Sequence, residues 1–403
     1  MKIIFAEQHN LDRPDPLGSH HYIRQFKQAG WECLWLGPAI SPLHIFKPDP
    51  PNRRRFQIWR QGLKEVPEIG GISWLVPFTF LFYYNPPLLK SLYAGRNQYR
   101  FVTPGLARKV KEAGFFPVDL LWAAGPAALS LLDIIPHKLS CYRLADRLDK
   151  FSRVPPNVAE LQKEMIRRVD FVLATSRSLQ EWACQFRQDG IYYLPNAAAD
   201  LYFKPVSEKP ADFPVDGRQV AVFTGTLDTR FDLESLARAV LAVKELHFLV
   251  IGPITDRRLE PEMKVLKDEE NFTWLGQKEQ HLLPAYLQHS SVGIIPYKQN
   301  ELTEAVNPIK YFEYLACGLP VVAPPLRELV SMEGPLFAYN GEEEFFSALR
   351  SASRVEAAER EKLRQYAGRH TWEGRFEQVN EIINEKLKGR GLHDASTVAG
   401  PTK

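Results

Sequence analysis

In the stretch Glu304–Val322, EAVNPIKYFEYLACGLPVV, three side chains are not required by packing: Asn307, Lys310 and Glu313. Asn307 before Pro308 reads as a helix start, an Asn cap with proline at the first helical position. Gly318, with Pro320 just beyond it, reads as the stop. At about 100° per residue, Ile309, Phe312, Leu315 and Ala316 fall on one face. Glu313 borders that apolar arc, and Lys310 lies one turn earlier on the same side. A helix start with unpaired N–H groups and an ammonium suits a phosphate. A carboxylate beside them is repelled by a phosphate but accepts hydrogen bonds from vicinal hydroxyls, as from a ribose. Phosphate and ribose together make a nucleotide. The same spacing fits a plain i,i+3 Lys–Glu pair on a solvated helix, worth about 0.2–0.5 kcal/mol. On spacing alone the surface pair has the edge.

Other loci carry chemistry less sharply. The segment HNLDRPDPLGSHH puts His9, Asp12, Arg13, Asp15, His20 and His21 just after the first apolar run. A polar loop there suits hydrogen bonds to a ligand's hydroxyls, although for any single histidine a solvated position is the plainer reading. Asp146, in YRLADRLDKF, follows a strand-like run. A contact to a ligand hydroxyl and a helix cap or surface carboxylate have equal weight for it. NRRRFQIWRQGLK interleaves Phe56 and Trp59 with basic residues, and SWLVPFTFLFYY follows. Together they suit an anionic membrane surface. A solvated helix edge followed by a buried strand stands slightly ahead. No DxD is placed after a strand, so no metal is expected.

The elements that must position these residues are legible in outline. Apolar runs KIIFA, WECLWL, GISWLV, VDLLWA, KLSCYRL, DFVLAT and IYYLP alternate with helical patterns in the first half. Continuous apolar strands separated by helices indicate a parallel sheet covered on both faces. FKPVSEKPADFPVDGRQ, with three prolines, interrupts the pattern. It then restarts with VAVFTG, LHFLVIG, FTWLG, VGIIPY and LPVVA. The fold class is therefore α/β, two Rossmann-like doubly wound domains facing across a cleft, with ligands outside the carboxyl ends of the strands. The expected division is an N-terminal domain over 1–203, a C-terminal domain over 204–370, a helix over 371–390 packing back on the N-terminal domain, and a disordered tail over 391–403. A chain of 403 residues exceeds a single core. Its net charge of +3 is too mild for a dedicated nucleic-acid binder. No signal peptide or membrane span is expected, and four scattered cysteines read as reduced thiols of a cytoplasmic protein.

These residues also carry a family resemblance. NPIKYFEYLACGLPVVAPP resembles the nucleotide-sugar signature of GT-B glycosyltransferases of the family-4, or group 1, type. VAVFTGTLDTRFDLESLARAV, FTWLGQKEQHLLPAYLQHSSVGIIPY and TWEGRFEQV follow in the family's order, as do PLGSHHYIRQFKQAGWECLWLG, RRVDFVLATSRSLQEW and YYLPNAAADLYF before them. The likeness covers the chain in outline and is loose between residues 38 and 115. It implies transfer of a sugar from a nucleoside-diphosphate sugar to a hydroxyl, with retention, without metal or cofactor, in cell-surface polysaccharide or glycolipid synthesis. It implies that Glu313 binds the ribose, that the backbone after Asn307–Pro308 with Lys310 faces diphosphate or sugar, and that Leu275, Gly276 and Gln277 recognise the base. Gly225 and Gly18 would let backbone approach the donor. The partners implied are a nucleotide-sugar donor and a sugar or lipid-linked acceptor, met on the inner face of a membrane and involving no nucleic acid.

The pattern departs at two places. The second glutamate of the family's pair falls on Ala305, with Glu304 one place off, and Thr226 follows Gly225 where an arginine often stands. Arg230 is then the expected cation for the diphosphate, and Glu304, Asp146 and Arg230 are the candidate catalytic side chains. A nucleotide-sugar epimerase and a sugar-nucleotide-binding protein without catalysis remain as alternatives. A dehydrogenase is least expected, because no GxGxxG follows an early strand.

Overall fold

The structure is a computed structural model that describes residues 1–45, 49–67, 70–81, 83, 91–151, 154–155, 157–214 and 216–397. The chain divides into two compact units, Met1–Leu194 with Glu373–Lys403, and Pro195–Trp372.

The first unit is built on eight strands: β1 Lys2–Ala6, β2 Glu32–Leu36, β3 Lys64–Val66, β4 Ile72–Leu75, β5 Val118–Ala123, β6 His137–Leu144, β7 Phe171–Ala174 and β8 Ile191–Tyr193. Their order is β3-β4-β2-β1-β5-β6-β7-β8. All pairs are parallel except β3 with β4. Sequence pattern misses β3 because it reads KEV, with only Val66 buried. The chain reverses its direction of growth across the sheet between β1 and β5, which makes that pair of strand ends the topological switch point. The core is unusually aromatic. Trp35, Trp74 and Trp122 are all fully buried, and Phe5 stacks between Trp35 at 6.2 Å and Trp122 at 5.0 Å. Phe376, from the helix Trp372–Thr397, meets Phe26 edge-on at 4.9 Å, with Val379 and Ile383 fully buried on the same helix. That helix passes residue 390, so the segment expected to be disordered is helical as far as Thr397, while 398–403 lie outside the described residues.

The second unit holds β9 Gln219–Thr224, β10 Leu246–Ile251, β11 Phe272–Trp274, β12 Val292–Ile294, β13 Val321–Ala323 and β14 Phe337–Ala338, in the order β11-β10-β9-β12-β13-β14. All of these pairs are parallel. Every residue of β10 is buried, as expected of a strand covered on both faces. The switch point here lies between β9 and β12. Among the described residues no helix is long and apolar enough to cross a membrane.

Candidate functional site

In the second unit, the helix expected after Asn307 runs from Ile309 to Ala316. It ends as its sequence demands. Gly318 adopts φ 73°, its N–H donates to Leu315, and the N–H of Leu319 donates to Tyr314, a Schellman stop. Its start differs from expectation: Pro308 is the cap residue and Asn307 does not cap. Asn307 is buried, and its polar atoms are committed elsewhere. Its Oδ1 accepts from the Asn196 amide at 3.0 Å, its carbonyl accepts from Asn196 Nδ2 at 2.7 Å, and its Nδ2 donates to Glu328 at 3.0 Å. Asn307 therefore anchors the helix start, leaving backbone rather than its side chain to face a ligand.

Glu313 is more buried than its place at the border of the apolar arc predicts, at 3% exposure. Its Oε2 accepts from Lys310 Nζ at 3.1 Å, and Lys310 is itself only 19% exposed. The Lys–Glu pair is real but not a solvated one. Tyr202 lies beside it. Burial, and then the Glu313 charge, push the Tyr202 phenol well above its ordinary range, so that hydroxyl stays protonated. Tyr314, one turn on from Lys310 along the same side of the helix, accepts the Thr224 N–H at 2.8 Å and so fixes the helix against the end of β9.

Gly225 follows directly, with φ 149°. A Cβ there would come within 3.2 Å of Lys310 Cε, so the turn passes close over the lysine stem. Gly252, at the end of β10, has φ 150° and presses still closer, since its Cβ would sit 1.8 Å from the Gly225 carbonyl oxygen. Gly225 N–H donates to Ile251, and Gly252 N–H donates to Gly276. The ends of β9, β10 and β11 are thereby laced into one backbone floor. Within it, Leu275 commits its N–H to Val250 and Gly276 commits its carbonyl to Gly252, while Gln277 is exposed. Thr226 is half-buried in the turn after Gly225.

Two candidate catalytic side chains are engaged differently from expectation. Arg230 Nε and Nη2 donate to the Asp228 carboxylate at 3.0 and 2.6 Å, so its charge is matched within the same loop. Glu304 accepts from the Arg327 amide at 3.1 Å and so caps the short helix Arg327–Ser331. Ala305, the position vacated by the family's second glutamate, is buried.

In the first unit, the segment after β1 divides: Gln8, His9, Asp12 and Asp15 in the loop are exposed, whereas the two histidines that follow belong to the helix Gly18–Gln28. His20 and His21 are buried at 1% and 6% exposure. His20 Nδ1 accepts the Leu17 N–H at 3.2 Å, its Nε2 faces the Asn10 carbonyl at 2.9 Å, and its ring packs on Trp35. That arrangement fixes a neutral ring protonated at Nε2. Burial lowers both histidines to about 3. Asp12 pairs with Arg54 at 2.5 Å, and His9 is exposed. Asp146 is half-buried just past β6, and its carbonyl accepts from Gln162. Gly18 opens the first helix with its backbone against the Arg143 guanidinium, where a Cβ would come within 2.2 Å.

Sequence reasoning missed Glu7 and Arg143. Glu7 stands one residue past β1 at 5% exposure, and Arg143, near the end of β6, is 8% exposed. Burial pushes the Glu7 carboxyl up to about 7, opposed by the Ser19 side chain and by the Arg143 charge. The signal was available: a carboxylate directly after the first strand meets the same criterion that singled out Asp146.

The basic stretch forms the helix Pro50–Gln61. Trp59 packs on Phe56 and on Phe78, and Phe78 on Phe80, which is 67% exposed. The run expected as one buried strand is thus β4 followed by an outward aromatic series, with Phe82 and Tyr84 outside the described residues.

With that geometry in place, residues 218–354 match the family model described as "Glycosyl transferases group 1". Over 193 residues the chain is 28% identical to the putative teichuronic acid biosynthesis glycosyltransferase TuaH of Bacillus subtilis (strain 168), covering 47% of this chain and 48% of that protein. The chain thus spans about half the length of this curated relative. Among solved structures it superposes on sucrose-phosphate synthase from Thermosynechococcus elongatus with TM-score 0.69 at 15% identity, covering 96% and 99% of the two chains. It also superposes on Anabaena HepE, solved in complex with UDP and glucose, with TM-score 0.67 at 16% identity over 96% and 100%. The fold is that of GT-B proteins.

Proposed function

We propose that this chain, a GT-B protein whose residues 218–354 form a group 1 glycosyltransferase domain, transfers a sugar from a nucleoside-diphosphate sugar to a hydroxyl acceptor in the assembly of a cell-surface polysaccharide or glycolipid, with retention of configuration. The observation that carries the reading is the buried Glu313–Lys310 pair beneath the Gly225 turn. Glu313 accepts the ribose hydroxyls, and Lys310 turns its ammonium from Glu313 toward the diphosphate. The bond between anomeric carbon and phosphate oxygen breaks through an oxocarbenium-like state, the acceptor oxygen forms the new bond on the same face, and the acceptor's hydroxyl proton passes to the leaving phosphate oxygen. Cationic and backbone N–H groups stabilise the charge that develops on the leaving diphosphate. Arg230 is paired with Asp228 and Lys310 with Glu313; Lys310, whose stem lies under the Gly225 turn, joins Arg230 as a candidate for that task. HepE, solved with UDP, makes UDP the first nucleotide to try.

The test is thermal-shift and calorimetric titration with UDP, GDP, ADP and dTDP, followed by transfer from the matching radiolabelled sugar nucleotide. One diphosphate should bind saturably and raise the melting temperature, and Glu313→Gln should lose that response. Failure of all four to bind overturns the reading. Incubation with donor alone separates transfer from epimerisation, since an epimerase converts its donor without any acceptor.

The acceptor is met at an anionic membrane surface in this reading. Its support is the aromatic series Trp59, Phe78 and Phe80 beside the exposed Arg53 and Arg60. Vesicles with anionic lipid should sediment the chain at low salt and neutral vesicles should not. Equal behaviour in both removes the membrane from the proposal.

A further inference from the structure

We propose that Tyr202 is a positioning residue for donor binding, its hydroxyl taking Glu313 over from Lys310 when the diphosphate draws that lysine away. The inference rests on the glycosyltransferase reading above and deepens it. It starts from the packing of one short turn. Asp200–Tyr202 forms a single turn early in the second unit, and Tyr202 is fully buried. The Tyr202 carbonyl accepts from Cys317 Sγ at 3.5 Å. Cys317 lies one turn beyond Glu313 on the same side of the helix, and the Glu313 charge reaches its thiol. The turn is therefore seated on the face of the helix Ile309–Ala316 that carries Glu313.

The Tyr202 hydroxyl is enclosed in the core and has no hydrogen-bond partner. Such an atom costs stability, and phenylalanine would fill the same space without it. Buried polar atoms in folded proteins are nearly always paired, so this exception asks for a reason. Beyond burial itself, the hydroxyl is acted on by Glu313, then by Cys317 and by Gln280 from the segment after Gln277. A protonated phenol has one hydrogen to give, and Glu313 is the carboxylate at hand to receive it.

In the free protein Glu313 does not need that hydrogen, because Lys310 Nζ donates to its Oε2 at 3.1 Å. Lys310 is partly exposed and can swing outward, whereas the buried Glu313 cannot follow it. When Lys310 turns to the diphosphate, a buried carboxylate is left without its cation, which is a costly state. A carboxylate offers about four acceptor positions, enough for two ribose hydroxyls and the phenol together. Tyr202 supplies its hydrogen from within the fold, and a carboxylate anchored on one side presents its other side to the ribose at a fixed angle. The unpaired hydroxyl of the free protein is then stability given up for donor affinity.

The experiment compares wild type, Tyr202→Phe, Lys310→Met and the double variant, all as full chains. Without ligand, Tyr202→Phe should melt at or above the wild-type temperature, because an unpaired hydroxyl is lost. In the Lys310→Met background the same change should lower the melting temperature, because Glu313 there depends on the phenol. A residue that only packs gives the same sign in both backgrounds. Calorimetric titration then uses UDP, or whichever of GDP, ADP and dTDP wild type binds. Tyr202→Phe should weaken that diphosphate by about three- to tenfold, the worth of one hydrogen bond. The same sign of melting shift in both backgrounds overturns the inference, as does a diphosphate affinity equal to wild type. Should Lys310→Met not fold, the titration of Tyr202→Phe decides alone. Absence of diphosphate binding by wild type instead defeats the glycosyltransferase reading, and the melts still decide whether Tyr202 takes over Glu313.

Discussion

The two units share one strand order about their switch points, yet each treats a buried carboxyl there differently. In the second unit Glu313 is buried with its own cation, Lys310, at 3.1 Å. In the first unit Glu7 is buried with an oxygen left unpaired, and burial raises its titration to about 7. Glu313 has its balancing cation within the same helix. Glu7, unpaired at one oxygen and near its titration point, has variable charge. The same topology thus holds a carboxyl matched by a cation in one unit and a carboxyl with an unmatched oxygen in the other.

The sharpest way to break this comparison is Glu313→Gln. Sugar transfer should fall by about a hundredfold or more, as expected when a positioning contact to the donor is lost. Glutamine is preferable to alanine here, because Glu313 is too buried for its removal to be silent. Deleting one partner of a buried pair leaves the other uncompensated, at up to about 3–5 kcal/mol for a fully enclosed pair, and less here because Lys310 is partly exposed. Transfer at the wild-type rate in Glu313→Gln would remove the donor role.

The glycines sharpen the contrast next. At Gly252 an added Cβ meets the Gly225 backbone at 1.8 Å, and φ is 150°. Gly252→Ala should destabilise the second unit by about 3 kcal/mol or more, since neither strain nor backbone overlap can relax cheaply. At Gly18 the overlap is with the mobile end of Arg143, so Gly18→Ala should cost about 1 kcal/mol or less. Chemical denaturation of both variants checks the pair, and equal losses would contradict the assignment.

Stability against pH sets two kinds of buried group within the first unit against each other. Glu7 titrates at about 7 folded against an ordinary 4.5. The folded state therefore binds more protons than the unfolded state between those values, and stability is lost as pH rises from 4.5 to 7. Glu7→Gln should recover up to about 3 kcal/mol at pH 8 and nothing at pH 4.5. His20 and His21 act with the opposite sign. Held neutral with values of about 3 against an ordinary 6.5, they favour the folded state above 6.5, and stability is lost as pH falls through that window. His21→Gln should flatten the acid limb of the first unit by about 2 kcal/mol between pH 6.5 and 5. Calorimetric melts at several pH values measure both, and a curve identical to wild type would refute either.

Much of this architecture is legible in the chain, for reasons that differ by element. β5 and β10 are continuous apolar runs because both faces are covered, and such runs declare themselves. β3 does not, because it is a three-residue edge strand that needs little apolar surface. The helix Ile309–Ala316 is marked by proline at one end and glycine at the other, yet Asn307 is drawn off its cap position by Asn196, a residue 111 positions away. Long-range hydrogen bonds of that kind leave no local trace. The same holds for Arg230 and Glu304, whose type suggested chemistry and whose nearest partners, Asp228 and the Arg327 amide, were decided by folding. Glu7 was legible and passed over, because its value lies in what it lacks.

The path of the chain also orders its own synthesis. The second unit is one continuous stretch, whereas the first is interrupted by it and closes only with Glu373 onward. Phe26 stays without its edge contact to Phe376 until the last helix emerges from the ribosome. The unit translated first is therefore the unit completed last, and its aromatic core must be kept from other surfaces while the inserted unit folds.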